Sequence, residues 1–373
     1  MLMATDKIQS IRPLRVLFAL PGLHRVSRGA EVAFEDLARA LARRGDFDVT
    51  LIGSGPARTD EPYRYRRATC VPRETFEKWP SIPYLRGHYV YEELTFIPSL
   101  LRHYDPAEFD ATLTCGYPYV NWALRMPRHG HRPKHIFITQ NGDWMVQARN
   151  WEFKHFSCDG LVCTNPEYFA RHRNRFPAAL IPNGIDQQRF HPGQAERTTF
   201  GLPPDVPIVL IVAALIGSKR VLEGIRAVAA AGKLHLVVAG DGELRDSVRK
   251  LGHELLGERF HHLVLPRERM PQLYRAADVL LHMSQDEPFG NIYLEATASG
   301  LPVVAHRTPV TEWILEDVGY LVDTDNQAAV VDALKRAIAG PQNVDARRDL
   351  IERRFAWDRV AAEYGRFLQE VCR

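Results

Sequence analysis

The amino-acid sequence predicts an α/β protein built from two doubly wound domains, each a parallel sheet with helices on both faces. Short apolar runs alternate with segments of helical periodicity along almost the whole chain, as buried parallel strands and crossover helices do. The alternation comes in two series, separated by a segment rich in proline, glycine and polar residues at 183–207. The length of 373 residues also suits two domains.

The first series begins with a buried strand near the amino terminus. The apolar core of "LRVLFALPGL" is too short for a secretory signal peptide, and Pro21-Gly22 interrupts it. The helix "AEVAFEDLARALARRG" follows, and further strands are predicted at "VTLIG", "ATLTCG", "HIFIT", "DGLVCT" and "AALIP". We assign residues 1–185 to this first domain.

Residues 58–98 break this pattern, because they combine many aromatic side chains with prolines and charges and show weak periodicity. Two interpretations stay open. The segment is either a long excursion that packs its own aromatic rings, or a wall that recognises an acceptor sugar or lipid.

The second series, assigned to residues 186–355, repeats the alternation. Strands are predicted at "IVLIVAAL", "LHLVVAG", "HHLVLP", "DVLLHMS" and "LPVVAH", with a helix near 221–231 after the first of them. Residues 356–373 contain a last helix, roughly 358–371, which we expect to pack back on the first domain.

The bulk composition is that of a soluble, cytoplasmic protein. Hydrophobic residues make up 45% and charged residues 25% of the chain, and the net charge of +3 is too small to indicate nucleic-acid binding. No apolar run approaches the ~20 residues of a membrane helix.

The basic tract 125–135 is either a solvated connection or a patch for phosphate groups. Five scattered cysteines without metal-like spacing are predicted to be reduced thiols: Cys70, Cys115, Cys158, Cys163 and Cys372.

The stretch "DEPFGNIYLEATASGLPVVA", 286–305, carries two glutamates eight positions apart. We predict a helix from Phe289 to Ser299, with Pro288 in its first turn and Gly300 just past its end. Glu287 then lies at the carboxyl edge of a strand and Glu295 almost two turns into the helix, roughly 10 Å away.

Two carboxylates so far apart do not share one metal ion or one proton, but they suit opposite ends of an extended ligand. The backbone N–H groups of Gly290, Asn291 and Ile292 lie between them and favour an anion. This order of carboxylate, anion site and carboxylate matches the sugar, diphosphate and ribose of a nucleotide sugar.

The same stretch resembles the Glu-x7-Glu signature of the retaining glycosyltransferases of family 4, which have the GT-B fold of two Rossmann-like domains facing a central cleft. The resemblance extends over most of the chain. "RGAE" at 28–31 resembles the glycine-rich loop of that family, and "LIPNGIDQQRFHP" resembles its interdomain segment. "VVAGDGELRDSV" and "RAADVLLHMS" resemble stretches of its second domain.

The resemblance implies donor-binding roles for residues of the second domain. Glu287 would contact hydroxyls of the donor sugar at the reacting carbon, and Glu295 would bind the ribose hydroxyls. Backbone N–H groups at Phe289, Gly290 and Asn291 would hold sugar or phosphate oxygens. Lys219 matches the lysine that points at the donor diphosphate.

Two positions depart from the family pattern. The usual arginine before that lysine aligns with Ala214, and Arg220 is the candidate that restores the second positive charge, although neighbours on a helix point about 100° apart. In the first domain Asn141 stands where the family often has a histidine, so it would orient a sugar oxygen rather than carry a proton.

The other first-domain candidates surround the loop after the first strand and the Asn141 segment. Gly29 would let the backbone approach the donor phosphate or the acceptor. Arg28 replaces a second glycine and either contacts an anionic acceptor or belongs to a plain turn. Asp143 is assigned to the acceptor side.

No cofactor or metal is predicted, since the Asp-x-Asp sequences at 46–48 and 323–325 fit a turn and a helix N-cap.

The resemblance implies a metal-independent, retaining hexosyltransferase of polysaccharide biosynthesis. Its donor would be a nucleotide-diphosphate sugar, UDP- or GDP-linked, and its acceptor a glycan, lipid-linked or small-molecule hydroxyl, with peripheral membrane contact if the acceptor is a lipid. Two alternatives stay open: a GT-B epimerase or hydrolase of sugar nucleotides, and a catalytically weak GT-B partner subunit.

Overall fold

The computed structural model describes residues 12–147 and 151–373, which form two compact units. The first unit contains the described part of 1–162 together with His172–Ala179 and Ala361–Arg373. The second contains Cys163–Arg171 and Leu180–Val360. The two-domain α/β prediction is confirmed.

The first sheet has seven strands in the order β3-β2-β1-β4-β5-β6-β7. The pairings of β1 with β2 and β4, of β2 with β3, and of β5 with β4 and β6 are parallel. The strands are β1 (Leu14–Ala19), β2 (Phe47–Gly53), β3 (Arg64–Arg67), β4 (Ala111–Thr114), β5 (Lys134–Ile138), β6 (Gly160–Cys163) and β7 (Ala178–Leu180).

The second sheet has six parallel strands in the order β10-β9-β8-β11-β12-β13. They are β8 (Ile208–Val212), β9 (His235–Ala239), β10 (Phe260–Leu263), β11 (Val279–His282), β12 (Val303–His306) and β13 (Gly319–Val322). The strand order reverses between β8 and β11, and ligands of open α/β sheets bind beyond the carboxyl ends of the strands at such a point.

Thirteen helices are present in the described residues. They are α1 (Gly29–Arg43), α2 (His88–His103), α3 (Tyr119–Arg125), α4 (Trp144–Gln147), α5 (Pro166–His172), α6 (Val221–Ala230), α7 (Arg245–Leu256), α8 (Met270–Ala276), α9 (Asn291–Ala298), α10 (Pro309–Leu315), α11 (Gln327–Ala339), α12 (Val344–Arg354) and α13 (Trp357–Cys372). The apolar stripe of α1 is buried as its periodicity predicts, with Phe34, Leu37 and Leu41 nearly inaccessible. None of the described helices combines the length and apolarity that spanning a bilayer requires.

Two strands of the structure were not predicted. β3 has the sequence RYRR and β13 the sequence GYLV, and each lies at an edge of its sheet. An edge strand is paired on one side only, so it needs no continuous apolar run, and four residues give too short a signal for periodicity.

The aromatic segment 58–98 contributes β3 and the start of α2. Phe76, Trp79 and Tyr91 pack on one another, with ring centroids 4.9–5.3 Å apart. These three rings therefore fit the packing interpretation, although Trp79 keeps 55% of its surface exposed.

The carboxyl-terminal helix α13 belongs to the first unit from Ala361 onward, which is all of the helix except its first four residues. Phe367 and Val371 lie against Gly160 of β6, where an added Cβ would approach both side chains to 3.0 Å. Gly365 in turn faces the ring of Phe47 on β2. These glycines let the helix lie close to its neighbours.

Candidate active site

The switch point of the second sheet brings together two loops that are far apart in sequence. One loop follows β8 and ends at Lys219, and the other follows β11 and contains Glu287. Because β8 and β11 are adjacent parallel strands, their carboxyl ends meet at one edge of the sheet. The predicted cation and the predicted carboxylate of the donor site therefore follow neighbouring strands of the same sheet.

Glu287 contacts both Lys219 and His282 at this edge of the sheet. Its Oε2 lies 2.5 Å from Nζ of Lys219 and 3.1 Å from Nε2 of His282, the last residue of β11. The carboxylate is 16% exposed and His282 only 2%. Burial alone would raise the pKa of Glu287, but the hydrogen bond from His282 and the charge of Lys219 outweigh it and hold the pKa at about 2.

This low pKa predicts a specific acid sensitivity. The folded-state pKa lies below the ordinary value of 4.5, so ionised Glu287 contributes stability, about 3 kcal/mol, that is complete above about pH 4.5. That contribution is lost as the pH falls from 4.5 toward 2. Urea unfolding of the wild type and Glu287→Gln is expected to show a stability difference that shrinks over this range. A difference that does not change with pH would contradict the assignment.

The loop after Glu287 ends at Gly290, which is the N-cap of α9. Its φ of 85° lies in the left-handed region, and an added Cβ would lie 2.5 Å from the ring of Tyr293. The predicted helix start at Phe289 is therefore wrong. The helix runs from Asn291 to Ala298, Pro288 precedes it, and Gly300 follows it with φ 80°, as predicted.

Two asparagine side chains brace this loop within the second unit. Nδ2 of Asn165 donates to the carbonyl oxygen of Pro288 at 3.2 Å, and Nδ2 of Asn183 donates to Oδ1 of Asn291 at 2.8 Å. Asn183 belongs to the "PNGID" stretch. These contacts fix the backbone whose N–H groups were predicted to bind the donor.

The side chains of Phe289 and Ile292 belong to the apolar core of the second unit. Phe289 is 2% exposed, and Ile292 packs on the same cluster. The Phe289 side chain is thus inaccessible, whereas that of Ile292 is only partly buried. Both side chains anchor the first turn of α9 to the sheet.

Glu295 lies on α9 and accepts a hydrogen bond at 2.7 Å from the hydroxyl of Tyr274, on α8. Tyr274 is fully buried, and burial and the neighbouring carboxylate raise the pKa of its phenol well above the usual value. Its hydroxyl therefore stays protonated and donates to Glu295 at all physiological pH values. The tether fixes the direction of the Glu295 carboxylate.

Lys219 and Arg220 directly precede α6, which begins at Val221 in agreement with the helix predicted near 221–231. Lys219 ends a 3₁₀ turn, Gly217–Lys219, and Arg220 has a left-handed backbone with φ 52° before α6 begins at Val221. Arg220 donates to Asp325 at 2.6 Å and to Oγ1 of Thr324 at 3.1 Å. Lys219 and Arg220 therefore pair with different carboxylates. The Asp325 side chain is 67% exposed.

Beside the Arg220–Asp325 pair lies a cavity of about 600 Å³. It is lined by Gln285, His306, Arg307, Asp323 and Asp325, all of which follow strands β11, β12 and β13 or end them. The cavity is thus at the same carboxyl edge of the sheet as Glu287. Its volume falls in the range of small-molecule sites.

The two Asp-x-Asp pairs have ordinary structural partners. Asp46 accepts from Arg44, and Oδ1 of Asp323 accepts the N–H of Asp325 at 3.0 Å. The N-cap of α11 is Asn326 rather than an aspartate, because its side chain accepts from the N–H of Ala329. Within 12–147 and 151–373 there is no group of three or more His, Cys, Asp or Glu side chains placed to hold a metal ion.

Arg28 and Gly29 lie at the start of α1 in the first unit. Arg28 is the N-cap, and Gly29 is the first helical residue. The Arg28 guanidinium is 2.6 Å from Glu74 and 3.6 Å from both Glu31 and Glu92. Arg28 is thus held by carboxylates of the protein, and its contact with an anionic acceptor stays a prediction.

Asn141 and Asp143 follow β5 in the first unit. Asn141 is exposed, and its Nδ2 lies 3.9 Å from Sγ of Cys115. Asp143 is 2% exposed and accepts from Nε2 of His172 at 2.8 Å and from Gln147 at 3.1 Å. The assignment of Asn141 and Asp143 to sugar and acceptor stays a prediction.

Two residues of the site were missed from the sequence. His282 ends "DVLLH", and its position at the carboxyl end of a strand was the available signal. Tyr274 lies on the helix before that strand and gave no signal, because its distance to Glu295 depends on how α8 packs against α9.

The sequence matches models of known families on both sides of residue 190. The model described as Glycosyltransferase Family 4 matches residues 27–189, and the model described as Glycosyl transferases group 1 matches residues 194–357. Among curated proteins, the D-inositol 3-phosphate glycosyltransferase of Xylanimonas cellulosilytica is 33% identical over 212 residues, which cover 49% of each chain. The chain spans about half the length of the curated relatives that it matches.

Solved structures show the same fold over nearly the whole chain. Sucrose-phosphate synthase from Thermosynechococcus elongatus has a TM-score of 0.77 at 20% identity and covers 96% of this chain and 99% of its own. Anabaena HepE in complex with UDP-glucose has a TM-score of 0.73 at 16% identity, with coverage of 96% and 100%. With both family models matched in succession, the chain belongs to the group 1 glycosyltransferases of family 4.

Proposed function

We propose that this glycosyltransferase moves a hexose from a nucleotide-diphosphate sugar to an acceptor hydroxyl with retention of anomeric configuration and without a metal ion. The contact of Glu287 with Lys219 and His282 at the switch point of the second sheet carries this proposal. A carboxylate held beside a cation suits a sugar and its diphosphate, which supports the proposal. HepE, a structural neighbour, is solved with UDP-glucose, which supports a nucleotide-sugar donor.

In this proposal the donor extends along the carboxyl edge of the second sheet. Glu287 accepts hydrogen bonds from sugar hydroxyls, and Glu295, directed by Tyr274, accepts them from the ribose. The N–H groups of Phe289, Gly290 and Asn291 bind sugar or phosphate oxygens, since the N-terminus of a helix such as α9 favours an anion.

The reaction requires stabilisation of the leaving diphosphate as the glycosidic bond breaks. Lys219 supplies a cation for the developing charge, and one such preorganised donor is typically worth about 3–4 kcal/mol in the transition state. Arg220 supplies a second cation where the family arginine is replaced by Ala214. Its present partner Asp325 is mostly exposed, so exchange of this carboxylate for a phosphate costs little.

Proton transfer needs no side-chain base in this scheme. The acceptor hydroxyl attacks the anomeric carbon from the face that the diphosphate leaves, and the leaving phosphate oxygen takes its proton. Asn141 is exposed and orients a sugar oxygen through its amide. We assign the acceptor, a glycan, a lipid-linked glycan or a small molecule, to the first domain, and we infer a cytoplasmic role in polysaccharide biosynthesis, peripheral to the membrane where the acceptor is a lipid.

The test is a thermal-unfolding panel of UDP- and GDP-sugars, followed by assays of nucleotide release with and without acceptor hydroxyls. Binding to the folded state raises the unfolding temperature, so one nucleotide class is expected to stabilise the wild type and not Lys219→Gln. Release that depends on an acceptor supports transfer. Nucleotide release that is independent of any acceptor indicates a hydrolase. Nucleotide-sugar binding without nucleotide release, even with acceptors present, indicates a catalytically weak partner subunit.

Glu295→Ala is expected to weaken donor binding about tenfold to a hundredfold while changing the turnover number little. Loss of a charged hydrogen-bond acceptor for the ribose removes about 1.5–3 kcal/mol of binding that is equal in the ground and transition states. Tyr274→Phe, which keeps the carboxylate and removes its tether, is expected to give a smaller loss. Donor titration and steady-state kinetics separate the two effects, and a large fall in turnover with unchanged donor affinity would contradict the ribose role.

A further inference from the structure

Arg347, in the first turn of α12, is a buried guanidinium without an acidic partner in the described parts of the chain. It is 3% exposed. Its Nη1 donates to the carbonyl oxygens of Gly300 and Gln342 at 3.0 and 3.1 Å, whereas its buried Nε has no hydrogen-bond partner. Burial lowers the pKa of this group, and an uncompensated buried charge is unfavourable. An anion beside Arg347 would relieve this cost.

A cavity of about 440 Å³ lies beside this guanidinium. Edge strand β13 forms one wall through Gly319, Tyr320 and Leu321. Besides Arg347, two further arginines line it, Arg307 and Arg336, against one lining carboxylate, Asp317. Arg307 and Arg336 pair with Glu312 and Asp332, but these pairs are more than half exposed on both sides and therefore weak.

The amino terminus of α12 also faces this cavity. Asn343 is the N-cap and lines the cavity with Ala346, yet its side chain makes no hydrogen bond to the first-turn amides. Unsatisfied N–H groups and the positive end of an eleven-residue helix favour an anion. The exposed Asp345 in the same turn is not part of the cavity lining.

We propose that the cavity between edge strand β13 and the amino terminus of α12 binds the phosphate group of a small phosphorylated metabolite or free phosphate, through Arg347, Arg336 and Arg307. Arg347 supplies a positioned guanidinium at the base, the two exposed arginines close the rim, and the helix amides face the oxygens. The cavity has room for more than a phosphate ion, which favours a sugar-phosphate-sized ligand. None of the residues proposed to bind the donor lines this cavity, although Arg307 also lines the 600 Å³ cavity beside the Arg220–Asp325 pair.

The experiment uses thermal unfolding of the full chain with inorganic phosphate or glucose 6-phosphate at constant ionic strength, kept with sodium chloride. Arg336→Gln and Arg307→Gln remove one rim charge each, and because both positions are exposed the fold is retained. Each is expected to weaken the apparent affinity about tenfold, since one charged hydrogen bond is lost. Arg348→Gln, on the exposed face of the same helix, is the matched control and is expected to bind as the wild type does.

The Lys219→Gln variant distinguishes this site from the donor site, because it is expected to lose stabilisation by nucleotide sugars and to keep stabilisation by phosphate. Tighter binding of glucose 6-phosphate than of phosphate supports a metabolite ligand, and equal binding supports free phosphate. The proposal is overturned if neither probe stabilises the wild type. It is also overturned if Arg336→Gln and Arg307→Gln behave as Arg348→Gln does, or if Lys219→Gln alone abolishes the phosphate effect.

Discussion

Glu287→Gln is expected to lower the turnover number about a hundredfold while donor affinity changes only a few fold. Glutamine has the shape of glutamate but no charge, so the attraction to Lys219 and the strong hydrogen bond from His282 are lost together. The carboxylate that accepts from the sugar hydroxyls then no longer holds the reacting carbon. Charged hydrogen bonds of about 1.5–3 kcal/mol correspond to roughly tenfold to hundredfold in rate when they act in the transition state.

Steady-state kinetics of sugar transfer measure this effect, with Glu254→Gln as the matched control. Glu254 lies on α7 in the same unit and is exposed. A thermal melt of each variant shows whether the fold is retained. Small and equal losses in Glu287→Gln and Glu295→Ala would contradict the separate roles assigned to these two carboxylates.

Lys219→Gln is expected to have a larger effect, lowering turnover about a hundredfold to a thousandfold. Lys219 is the cation nearest to Glu287 and the one that follows β8, so it is the residue proposed to meet the leaving diphosphate. Removal of one preorganised donor to a developing oxyanion typically costs about 3–4 kcal/mol. Lys219→Arg keeps the charge and is expected to restore part of the activity.

The double variant Lys219→Gln with Glu287→Gln is expected to lose less than the product of the two single effects. Both single changes break the same 2.5 Å contact, so the second change removes an interaction that is already gone. Lys233→Gln, at an exposed position of the same unit, is the control for loss of one positive charge. Fully additive losses would show that the two side chains act independently and would contradict a shared site.

Much of the fold could be predicted because a strand that is buried on both faces of a parallel sheet requires a continuous apolar run. The inner strands, such as β1 and β8, appear as continuous apolar runs. The edge strands β3 and β13 were missed, since one-sided pairing relaxes the demand for apolar residues. The helix start at Asn291 was misplaced by two residues, because a proline fits a first turn on local grounds, whereas the left-handed Gly290 delays the helix.

The candidate site was predictable in its residue types and only partly in its contacts. Glu287 and Lys219 were singled out separately, and their ion pair follows from strand order, which places β8 beside β11. The sequence suggested that Arg220 and Lys219 point in different directions because neighbours on a helix do. The two side chains do have different partners, but the reason is the left-handed backbone of Arg220 and its contact with Asp325.

The sequence by itself determined the α/β class, the two domains, the family and the two acidic positions of the second domain. These depend on periodicity and on motifs, which are local in the chain. Only the tertiary structure decided that His282 and Lys219 share one carboxylate oxygen, that Tyr274 directs Glu295, and that Arg347 is buried beside a cavity with no acidic partner of its own in the described residues. Such contacts join residues from different strands and helices, and their distances are set by packing, which no local pattern encodes.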